Sequence, residues 1–68
     1  MIPRLRQIRI EKRVTMFDLS KRTGFGVVDI CRVERGKEAG SPEFFQKCGE
    51  VLGVSATELA AKDETERD

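Results

Sequence analysis

The apolar positions of the chain recur every three or four residues, punctuated by Pro, Gly and Ser at intervals that suit short helices. Leu5 and Ile8, with Lys12 a turn further on, predict a first helix over residues 3–12. Pro3 would open it, at a position where a missing N–H costs nothing. Thr15-Met16-Phe17-Asp18 resembles a capping box with Asp in place of Glu, so a second helix is expected from there to about Arg22. Gly24 stops it, because glycine takes the left-handed conformation without a Cβ clash. Val27, Ile30 and Val33 follow at three-residue spacing and predict a third helix ending before Gly36. Ser41, Pro42 and Glu43 combine an N-cap, a first-turn proline and a first-turn acid. The fourth helix they open carries Phe45, Cys48, Gly49 and Leu52 on one face and stops at Gly53. Ser55-Ala56-Thr57-Glu58 is a full capping box for a fifth helix reaching about Ala61. Phe25–Val28 is too short for a strand and has no partner. The pattern predicts an all-α fold of five short helices, one domain over residues 1–61, and a frayed polar tail over 62–68.

Composition narrows the chemistry. The chain has 68 residues, so one domain and no second module. There is no His, Trp or Tyr. The lack of His removes a Ser-His-Asp triad, a Cys-His pair and a His-ligated metal site. No metal, no cofactor and no enzymatic activity is expected. Cys31 and Cys48 stand too far apart for a CxxC or zinc-finger spacing, and both read as free cysteines acting as small hydrophobes rather than as a redox switch. No apolar run approaches the ~20 residues of a membrane helix, and no apolar segment backs the basic N-terminus as in a secretory signal. A cytoplasmic protein without membrane contact is expected.

Net charge is only +1, which at first argues against nucleic acid. Position alters that argument. Residues 1–37 carry ten bases and four acids, a balance of +6, while residues 38–68 carry three bases and eight acids, a balance of −5. A basic working face and an acidic remainder are implied.

The second and third helices, joined by about four residues around Gly24, form a helix–short turn–helix unit. Beyond that unit, the stretch from Leu5 to Leu59 resembles the phage repressor/Cro-like (Xre-type) helix-turn-helix family. The resemblance is carried by Ile8-Arg9, Leu19-Ser20, Gly24-Phe25, Ile30-Cys31-Arg32-Val33-Glu34-Arg35-Gly36-Lys37, Leu52-Gly53-Val54-Ser55 and Glu58-Leu59. It implies a lambda-repressor-like DNA-binding domain. It also implies that Arg9 and Glu34 form a structural ion pair between helices. Leu19, Phe25, Ile30, Val33, Phe45 and Leu52 would make the core, with Ser20 and Gly49 as small residues at close helix approaches.

The resemblance further implies a sequence-specific double-stranded DNA-binding regulator, bacterial or phage, acting as a homodimer on an inverted repeat. The third helix would enter the major groove. Its candidate base-facing residues are Gly26, Val27, Val28 and Arg32, with Asp29 beside them. Arg32 can donate two hydrogen bonds to O6 and N7 of guanine, whereas Val27 and Val28 either touch a thymine methyl or support the helix. Thr15, Met16, Arg35 and Lys37 are the candidates nearest the phosphates. This chain departs from the family pattern at Met16, where Gln is frequent, and at the apolar start of its third helix. Those departures keep a second reading open, in which Met16, Phe17, Val27 and Val28 form an apolar patch that binds another protein. Val51, Val54 and Leu59 either form a dimer surface or complete the core.

Overall fold

The computed structural model describes residues 2–63. Their order is β1 (Ile2–Pro3), α1 (Leu5–Glu11), α2 (Met16–Thr23), α3 (Val27–Glu34), α4 (Pro42–Leu52), α5 (Ala56–Ala60) and β2 (Lys62–Asp63). The five expected helices form, each close to its predicted bounds. Three are capped by side chains three residues upstream of the amide they satisfy. Thr15 Oγ1 accepts from the Asp18 amide at 3.0 Å, Ser41 Oγ from Phe44 at 3.1 Å, and Ser55 Oγ from Glu58 at 3.1 Å. Gly24 (φ 88°) and Gly53 (φ 76°) end α2 and α4 in the left-handed conformation.

Pro3 departs from its expected role. It does not open the first helix; it sits in β1, which pairs antiparallel with β2 in the register Ile2–Asp63 and Pro3–Lys62. The helix begins two residues later, and Arg4 donates its amide to the Ala61 carbonyl at 2.9 Å. A proline is tolerated both at a helix start and on an edge strand, for the same missing donor. The partner that decides between them lies at the other end of the chain. Two residues of the segment expected as a tail, Lys62 and Asp63, therefore belong to β2; the remainder of that segment, 64–68, lies outside the described residues.

One core holds the helices together. It contains Leu5, Ile8, Leu19, Ile30, Val33, Phe44, Phe45, Cys48, Leu52 and Leu59. Phe25, expected inside, is half-buried and lies on its rim, its ring 4.9 Å from that of Phe44. Phe44 also meets Phe45 edge-on at 5.3 Å. Leu59 is fully buried, while Val51 and Val54 are partly buried against the same cluster. Of the two roles open to these three residues, Leu59 takes the core one. At Gly49 an added Cβ would lie 2.5 Å from the Val54 carbonyl oxygen, so α4 approaches the turn into α5 too closely for any side chain.

Candidate nucleic-acid interface

The turn between α2 and α3 is held by side-chain bonds as well as by Gly24. Ser20 Oγ donates to the Phe25 carbonyl at 2.5 Å, across the turn. Thr23 Oγ1 donates to the Leu19 carbonyl at 2.7 Å and accepts from the Phe25 amide at 3.3 Å. Ser20 thus ties the two helices together, beyond the close approach expected of it. A turn pinned at both ends gives α3 a fixed direction relative to α2. That is the requirement for presenting one helix face to a rigid partner.

A second tie fixes α3 to α1. Arg9 Nε donates to Glu34 Oε2 at 2.6 Å, Nη2 to Glu34 Oε1 at 3.1 Å, and Nη1 to the Val14 carbonyl at 2.8 Å. Both residues are buried, at 7% and 1% exposure. The fork therefore neutralises a buried carboxylate and uses its spare donor on the loop before α2. That third acceptor is a backbone carbonyl, which no residue pattern advertises.

With Ile30, Val33 and Glu34 inward, the opposite side of α3 faces solvent. Val28 and Arg32 lie there at i and i+4 on one helix face, and Arg35, exposed, caps the C-terminal end of the helix. Val28 is 62% exposed, whereas Val27 is half-buried. Lys37 follows, exposed, beyond the left-handed Gly36 (φ 75°) that turns the chain away. Among the described residues, Arg32, Arg35 and Lys37 pair with no acid. Asp29 leans backward: its Oδ2 lies 3.5 Å from where a Cβ on Gly26 would sit, over the N-terminus of the helix. There the helix dipole favours a negative charge.

The start of α2 contributes Thr15, whose hydroxyl oxygen is occupied by the Asp18 amide while its O–H remains a donor. Met16 is half-buried against the core, and Phe17 is 76% exposed. The four-residue apolar patch of the second reading thus reduces to Phe17 and Val28. Nothing in the structure explains Phe17. Asp18 and Arg22 form an exposed ion pair at 3.5 Å, of the kind that contributes little.

Cys48 is closed to chemistry. Burial pushes its thiol up to about 11, and the Glu34 carboxylate adds to the rise. Above pH 9 an unfolded thiol loses its proton while the folded one keeps it, so folding stability falls between pH 9 and about 11. Urea unfolding across that range should show a decline that the Cys48→Ala variant lacks. Parallel pH profiles for the two proteins would contradict this assignment.

The fold is a repressor-like helix-turn-helix, that of DNA-binding transcription regulators in general. Among solved structures, a chain of the SinR protein/SinI protein complex matches all of this chain and 68% of its own length, with a TM-score of 0.81 and 27% sequence identity. No protein-family model matches the chain, and no curated protein does. The neighbour's fold indicates a regulator rather than an enzyme. No helix among the described residues is long and apolar enough to cross a membrane.

Proposed function

We propose that the protein is a sequence-specific double-stranded DNA-binding regulator of the Xre type, with the exposed face of α3 in the major groove. The observation that carries this reading is the group of exposed cations on α3 and at its C-terminal end. Arg32 stands exposed on the second helix of a rigid helix-turn-helix, Arg35 at its C-cap and Lys37 just beyond it, and among the described residues none of the three pairs with an acid. Cations held without a partner are a standing electrostatic attraction for phosphate. Arg32, placed mid-helix, reaches bases; Arg35 and Lys37, at the helix end, reach the backbone on one side. Thr15 and the free amides of the first turn of α2 reach it on the other. The protein binds as a homodimer, with half-sites about 34–36 Å apart on an inverted repeat. It acts by occupying its site and needs no cofactor.

Salt dependence tests the reading. If Arg35 and Lys37 neutralise two phosphates per subunit, affinity for duplex DNA drops about tenfold per subunit between 50 and 200 mM salt. Fluorescence anisotropy on a labelled duplex measures this directly. Binding that is absent at 50 mM, or indifferent to salt, overturns the reading.

A further inference from the structure

The exposed face of α3 puts one apolar and one forked cationic side chain side by side, and nothing about folding requires the apolar one. Val28 is 62% exposed although it is a β-branched residue in the first turn of a helix. Its neighbour Val27 is turned partly inward by the phase that Ile30, Val33 and Glu34 set. Of the two valines, only Val28 shares a face with Arg32, four residues on. We infer that Val28 and Arg32 together read a pyrimidine 5-methyl group lying within two base pairs of a guanine, with Val28 covering the methyl and Arg32 forking onto the guanine. The inference rests on the DNA-binding reading above.

Geometry sets the spacing. Four helical residues span about 6 Å, and stacked bases repeat about every 3.4 Å, so the two side chains fall one or two base pairs apart. Length sets the roles. Valine is short and contacts a base only where the helix is closest to the groove floor, which for a recognition helix is its N-terminal part. Arginine reaches further and carries the donors that match guanine O6 and N7. Val28 has no donor or acceptor in its side chain. The major-groove feature an aliphatic group can recognise is the methyl on C5, which thymine carries and cytosine carries only when methylated. Asp29, drawn back over Gly26, leaves this pair uncrowded.

The test uses a duplex enriched from a random pool by the wild-type protein. Each thymine is replaced in turn by deoxyuridine, which deletes the methyl and nothing else, and dissociation constants are compared. One thymine within two base pairs of a guanine should show about fourfold weaker binding on losing its methyl, the worth of one buried methyl-sized group. Val28→Ala should bind the thymine and uracil duplexes equally; the residue is exposed and alanine favours the helix, so folding is retained. Val27→Ala should keep the difference. Duplexes carrying cytosine or 5-methylcytosine at that position identify which base supplies the methyl, and tighter binding of 5-methylcytosine over cytosine also supports the contact. If no methyl deletion changes binding, or if Val28→Ala keeps the difference, the inference fails while DNA binding stands. If no duplex is bound or enriched, the DNA-binding reading fails and takes the inference with it.

Discussion

Replacing Glu34 by Ala should cost about 3–5 kcal/mol of folding stability, the range for removing one partner of a buried ion pair. The reason is the charge left behind. Arg9 is 7% exposed, and without Glu34 its guanidinium keeps a single acceptor, the Val14 carbonyl at 2.8 Å. At roughly 0.05–0.15 kcal/mol per residue a chain of this size has about 3–10 kcal/mol in total, so the variant loses a third or more of its stability. Removing both partners tests the cause. An Arg9→Met/Glu34→Leu double variant leaves no orphaned charge and should recover most of the loss. Urea denaturation of the three proteins gives the comparison. A loss below about 1 kcal/mol for Glu34→Ala would mean that the pair behaves like an exposed one, such as Asp18–Arg22. The consequence reaches function, because the same pair anchors the inner side of α3 and so sets which residues face outward.

The second large effect is on binding. Arg32→Ala should leave folding stability within about 0.5 kcal/mol, since the side chain is exposed and holds no partner among the described residues. Preference for the base pair it reads should fall about 5- to 150-fold, the equivalent of the 1–3 kcal/mol that a bidentate guanine contact contributes. Affinity for random duplex should change far less. Arg35→Ala and Lys37→Ala should do the reverse, weakening both duplexes alike and flattening the salt dependence. Equal losses on both duplexes with Arg32→Ala would make it a phosphate contact.

What the residues announce in advance is what their near neighbours decide. The caps at Thr15, Ser41 and Ser55 act within three residues, and glycine stops act within one turn, so the bounds of α2, α4 and α5 were legible. Pro3 was not, because its strand partner, Lys62, is remote in sequence. Phe44 and Phe45 stand adjacent, and spacing alone selected Phe45; both are buried, since α4 packs against α2 and α5 at once. The candidate site divides in the same way. Val27 and Val28 are chemically identical neighbours, and only the packing of Ile30, Val33 and Glu34 says which one faces out. Glu34 runs against hydrophobic pattern altogether, a carboxylate at a core position that only its resemblance to a family position marked as inward.

Charge followed position more than total. A balance of +1 over the chain hides three exposed cations on and just after α3, which pair with no acid among the described residues.

The proposed contact with DNA runs through Val28 and Arg32 on α3 and Arg35 at its C-cap. Amide chemical shifts recorded as the protein is titrated with an enriched duplex test it most directly. The predicted result is that the largest changes fall at Thr15 and Met16, across Gly26–Arg32, and at Arg35–Lys37, with α4 and α5 little moved. Changes centred on α4 and α5, or none at all, would contradict it.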